Sequence, residues 1–94
     1  MEKLSEMPNI GHELEERLTR VGILSPSQLQ EMGSIKAFQL LHAADPDACI
    51  NMLYALEGAV QNIRWHNLTK STKQELLFYF KEIKQSGENT IIGN

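Results

Sequence analysis

Residues 45–65 read DPDACINMLYALEGAVQNIRW, and the fold turns on how this stretch is read. It opens with helix-start chemistry. Asp45 can accept from the first free N–H groups, Pro46 sits where a missing N–H costs nothing, and Asp47 puts negative charge at the positive end of the helix dipole. At about 100° per residue, Cys49, Met52, Leu53, Leu56, Ala59, Val60 and Ile63 fall into one broad apolar stripe. Ile50, Tyr54 and Trp65 make a second patch on another side. Gly58 lies near that patch, where a neighbouring backbone can come close. A helix apolar on two sides is packed from two sides. The pattern therefore predicts a central helix over residues 45–65, with Cys49 buried in its stripe and the other helices stacked around it.

Upstream, residues 1–7 have room for a helical turn with Leu4 and Met7 on one side. Pro8-Asn9-Ile10-Gly11 follows, a tight hairpin with an apolar tip. The next helix is predicted over 12–21, with Leu14, Leu18 and Val21 inward. Its acids come first and its arginines last, which suits the dipole and sets up Glu13–Arg17 and Glu16–Arg20 as i,i+4 pairs. Gly22 supplies a left-handed cap, and Ile23 returns to the core. Ser25, Pro26 and Gln28 form a capping box for a short helix carrying Leu29 and Met32, which stops at Gly33. Ser34 is the expected cap of a further helix with Ile35, Ala37, Phe38, Leu40 and Leu41 apolar, ending near Ala44.

Downstream, His66-Asn67 make a corner, Leu68 reads as a staple residue and Thr69 as a cap. The last helix is predicted over 70–85, with Leu76, Leu77, Phe80 and Ile83 inward and Tyr79 at the edge. Phe78 points away from that face with no partner assigned. Gly87 should end the helix, making residues 1–86 the domain and 87–94 a flexible tail. No period-two strand pattern and no internal repeat occurs.

Ninety-four residues make one domain. No apolar run approaches the roughly 18 residues that span a bilayer, and the N-terminus lacks a secretory pattern, so no membrane role is expected. A single cysteine excludes an internal disulfide and fits a reducing cytoplasm. Net charge is −3. Residues 1–33 carry six acids and three bases, residues 34–68 three and two, and residues 69–94 three acids and four lysines. Counterion release favours basic nucleic-acid binders, so this balance disfavours nucleic acid as a partner.

Met7-Pro8-Asn9-Ile10-Gly11, Leu14, Leu18 and the exit Val21-Gly22-Ile23 resemble a helix-hairpin-helix unit. Asp45-Pro46-Asp47-Ala48-Cys49, the run Asn51-Met52-Leu53-Tyr54-Ala55-Leu56-Glu57-Gly58-Ala59 and Ile63-Arg64-Trp65-His66 add to it. Together they closely resemble the C-terminal domain of the TfoX/Sxy family, over residues 4–83. The resemblance implies an all-α bundle of about five helices, related to helix-hairpin-helix and sterile-alpha-motif-like folds. It also implies bacterial relatives that regulate competence for DNA uptake, acting with a transcription factor. Those relatives carry a separate N-terminal domain, so the expectation here is a stand-alone copy of the second one.

Three sets of residues are candidates for contact. By analogy with DNA-binding hairpins, Asn9, Ile10, Gly11 and His12 can offer backbone N–H groups to a phosphate. Against this, Asn9 replaces the usual glycine, and Glu13, Glu15 and Glu16 follow where a phosphate wants cations; the plainer reading is a hairpin that only packs helices. Lys70, Lys73, Lys81 and Lys84 fall within roughly 80° of arc on the last helix. They can line an anion stripe, but stems that cover Leu77 and Phe80 are the plainer reading. Tyr54, Arg64, Trp65 and His66 form an aromatic and cationic corner of the residue types found at binding hot spots, or else Trp65 merely closes the corner as core. The histidines are widely spaced, and no catalytic or metal constellation and no phosphate-cradling loop is present. The expectation is a non-enzymatic, cofactor-free, regulatory interaction module in the cytoplasm, binding a protein partner or itself. The alternative is weak, sequence-independent DNA binding through the hairpin and the lysine face.

Overall fold

The central post begins at Ile50 rather than Asp45, and the reason is a turn hidden in the quoted stretch. A computed structural model gives the fold; it describes residues 3–92, with side chains described through Gln85. A 3₁₀ turn at Leu4–Glu6 is followed by α1 (His12–Arg20), α2 (Pro26–Met32), α3 (Ser34–Ala44), α4 (Ile50–Gln61), a second 3₁₀ turn at Trp65–Asn67, and α5 (Lys70–Ile92). No strand occurs among the described residues, and the fold is an all-α bundle of five helices.

Asp45 closes α3: its N–H donates to the Leu41 carbonyl at 2.8 Å. Its side chain does two other jobs, with Oδ1 accepting from the Asp47 N–H at 3.1 Å and Oδ2 from Arg17 at 2.6 Å. An Asx turn and an N-cap use the same residue types, which is why Asp-Pro-Asp reads as a helix start. The Ala48 N–H donates to the Asp45 carbonyl at 3.0 Å, dropping Ala48 into the core. Cys49 becomes the extended N-cap of α4 and is exposed, not buried.

The post is packed on two sides, as its pattern requires. Leu53, Leu56 and Ala59 are fully buried, and α4 packs against α3, α5 and the corner turn. Ile50, Tyr54 and Trp65 are half-buried on the second side. α4 stops at Asn62, which takes a left-handed φ of 62°, so that the Ile63 N–H reaches the Gly58 carbonyl at 2.8 Å. Trp65 thus belongs to the corner and not to the helix.

Most other expected caps are present. Gly22 has φ +90°, and the Ile23 N–H donates to the Leu18 carbonyl at 2.9 Å, returning Ile23 to full burial. Ser25 Oγ accepts from the Gln28 N–H, and Thr69 Oγ1 accepts from the Thr72 N–H. Ser34 differs. It is the first residue of α3, makes no cap, and donates from its buried hydroxyl to Glu57 Oε1 at 2.6 Å, tying α3 to α4.

On α5 the bundle covers Leu76, Phe80 and Ile83. Leu77, expected inward, is 36% exposed, and Phe78 is 59% exposed. The backbone helix runs through Gly87 to Ile92, past the expected stop; the last two residues of the expected tail lie outside the described residues. A helix rises about 1.5 Å per residue, and this length makes the domain elongated, with extents of 46 × 30 × 21 Å.

Candidate functional site: the Trp65 corner

Members of all three candidate sets meet at one place. The Trp65 ring stacks on Tyr54 (centroids 5.8 Å apart, 17° between planes) and on His66 (4.2 Å, 26°). Lys73 from α5 places its ammonium 5.5 Å from the Trp65 ring centroid, within cation–π range. Arg64 and His66 are exposed, while Tyr54, Trp65 and Lys73 are half-buried. Trp65 is therefore neither a free aromatic nor plain core. It is a half-covered ring held by side chains from α4, the corner and α5.

The hairpin supports this corner from beneath. Asn9 has φ 71°, a left-handed conformation that asparagine tolerates, so it fills the place of the usual glycine without its freedom. Its amide Nδ2 donates to the Ile63 carbonyl at 2.9 Å and lies 3.4 Å from that of Ala55. Its Oδ1 accepts from the Trp65 N–H at 3.1 Å. Gly58 makes room: a Cβ there would lie 2.8 Å from the Ile63 carbonyl and would collide with Asn9 Nδ2. This clamp escapes a reading of the sequence, although a glycine in a predicted helix interior hints at a close approach.

The remaining candidates separate. Ile10 is buried, so it packs the hairpin. Gly11 is the N-cap of α1 and makes no side-chain cap. His12 has a fully outward side chain, with Nδ1 3.8 Å from Glu15 Oε1. Glu15 also accepts from the Ser5 N–H at 3.1 Å, so it braces the N-terminal turn. The lysine stripe splits: Lys73 rests on Trp65, Lys84 on Phe80 at 5.4 Å, and Lys70 and Lys81 are exposed.

A cleft lies elsewhere, between α1 and the α3–α4 connection, with a volume of about 450 Å³. Val21, Leu41, Ala48 and Met52 floor it. Its charged rim is internally paired: Arg17 with Asp45 at 2.6 Å and with Glu13 at 3.5 Å, Arg20 with Glu16 at 3.5 Å. No group of three metal-ligating side chains occurs among the described residues, and no described helix is long and apolar enough to cross a membrane.

The hairpin-led entry, the two-sided post and the aromatic corner define a small all-α domain of five helices. The TfoX C-terminal domain model matches residues 1–89, and the chain belongs to that family. It is similar to a crystal structure of an uncharacterized protein from Listeria monocytogenes in a triclinic form, with 48% identity, a TM-score of 0.79, and coverage of 90% of this chain and 92% of that one. It is also similar to a protein of unknown function from the same organism in a tetragonal form, with 46% identity, a TM-score of 0.83, and coverage of 85% and 99%. No curated protein matches the chain.

Proposed function

We propose that this domain is a non-enzymatic interaction module of a cytoplasmic regulatory system, binding a protein partner or a second copy of itself through the Trp65 corner. The observation that carries this reading is the state of Trp65: half-buried, stacked by Tyr54 and His66, and flanked by exposed Arg64. Tryptophan, tyrosine and arginine dominate binding hot spots, and a ring already held in place loses little freedom when a partner covers it. A photo-crosslinking residue placed at His66 should give discrete adducts in cells. The same residue at exposed Gln30 on α2 should give none. Adducts from Gln30 alone, or from neither position, would remove the corner from this role.

A second reading, weak sequence-independent DNA binding, is supported by the meeting of hairpin and Lys73 at Trp65. It is opposed by the 84% exposed Glu13 side chain at the start of α1. A gel shift of duplex DNA at about 50 mM salt, lost steeply as salt rises and weakened by Lys73→Glu or Lys81→Glu, is the outcome this reading requires.

A further inference from the structure

We infer that the Trp65 corner receives an acidic segment of a partner protein carrying one large apolar side chain. This rests on the interaction reading above and names the chemistry of the partner. The first observation is a charge inversion. The chain carries −3 overall, yet residues 58–74 contain no aspartate or glutamate while holding Arg64, His66, Lys70 and Lys73. The fold gathers this stretch at one end of the bundle, as the end of α4, the corner turn and the start of α5.

The second observation is that the charge is unspent. Among the described residues every ion pair involves His12, Arg17 or Arg20, so Arg64, Lys70 and Lys73 have no carboxylate partner. α5 also begins here with no acid in its first turn, so that only the neutral Thr69 hydroxyl caps the positive end of its dipole. The third observation is apolar. Ile63 and Trp65, both half-buried, flank Arg64 in this same stretch, and Lys73 lies over the Trp65 ring.

These features select between polyanions. Tyr54, His66 and Lys73 all lie against the Trp65 ring, so little of its face is left for a nucleobase to stack on. The edge of an aromatic ring is its electropositive part and suits a carboxylate beside it.

The chain has one tryptophan, so its emission reports on the corner directly. The probes are a panel of tryptophan-free peptides of about twelve residues, each with four Glu and one Phe at varied offsets, in about 50 mM salt where the Debye length still lets exposed charges act. Matched peptides with Lys for Glu, and single- and double-stranded oligonucleotides, are the comparisons. At least one acidic peptide should change Trp65 emission saturably, and a double variant Arg64→Glu, Lys70→Glu should weaken it at least about tenfold. Both substitutions are at exposed positions, and an unchanged circular dichroism melt shows that the variant is folded. Equal binding of the Lys peptides, an unaltered affinity in the double variant, or tighter binding of an oligonucleotide would overturn the inference. Crosslinks from residue 66 in cells together with no response to any acidic peptide would also overturn it, while leaving the interaction module standing.

Discussion

Asn9 occupies the space that a side chain at Gly58 would need. The two are brought together because the hairpin tip inserts its amide between the end of α4 and the corner, where it bridges the Ile63 carbonyl and the Trp65 N–H. Gly58→Ala therefore sets two effects against each other. Alanine is favoured over glycine in a helix interior by about 1 kcal/mol. The new methyl, however, meets the Ile63 carbonyl at 2.8 Å, and that backbone is tied back to the Gly58 carbonyl by its own N–H. Overpacking a rigid contact costs about 1–3 kcal/mol, so a net loss of about 1 kcal/mol is expected in urea denaturation. A stabilised Gly58→Ala protein would show that the contact is loose.

Substitutions at Asn9 separate backbone from side chain. Asn9→Gly keeps the left-handed φ of 71° and removes the amide, leaving the Trp65 N–H without its acceptor, at a cost of about 1–3 kcal/mol. Asn9→Ala adds the strain of a left-handed Cβ, about another 1 kcal/mol. The expected order of thermal stability is wild type, then glycine, then alanine, with Trp65 emission shifted in both variants. Equal melting of wild type and Asn9→Gly would mean that the amide contributes nothing.

How far the fold can be read in advance depends on whether a residue's partners are near in sequence. Gly22, Ser25 and Thr69 act on neighbours within a few residues, and their caps are legible. The inward face of α4 is legible too, since Leu53, Leu56 and Ala59 repeat at helical spacing. Ser34 misleads because a distant partner, Glu57, takes its hydroxyl from the local cap, and Asp45 misleads because its Asx turn to the Asp47 N–H uses the residue type of a cap. Helical phase also leaves Leu77 ambiguous: it sits at the boundary between the covered face and the lysines, and only the width of the bundle decides it. For the site, the residue types at 64–66 are visible, but the stacking of Tyr54 and Lys73 on Trp65 requires α4 and α5 to cross there.

Asp45 joins two tasks, and its removal should cost more than an ordinary surface ion pair. Arg17 and Asp45 meet at 2.6 Å with side chains 31% and 39% exposed. Exposed pairs contribute at most about 1 kcal/mol and are screened by salt. Asp45→Asn can keep the Asx turn to the Asp47 N–H but loses the charge, so a loss below about 1 kcal/mol, shrinking in high salt, is expected. Asp45→Ala loses the turn as well, adding roughly 0.5–1.5 kcal/mol that salt leaves in place. Denaturation at two ionic strengths distinguishes these contributions; identical salt responses of the two variants and the wild type would remove the ion pair from the account.

The two faces of α5 should respond unequally to substitution. Leu76 is 4% exposed and packs into the core, so Leu76→Ala removes buried methyl groups and should cost about 2–4 kcal/mol. Phe78 is 59% exposed and touches Tyr79 edge-on at 5.6 Å, a contact between neighbours on the surface. Phe78→Gln gives up little burial and gains a better helix former, so stability should stay within about 0.5 kcal/mol of wild type. Urea midpoints measured at several protein concentrations make this test sharper. If Phe78→Gln destabilises only at high concentration, Phe78 is buried between copies; if it destabilises at every concentration, the helix is rotated and the lysine and aromatic faces of α5 change places.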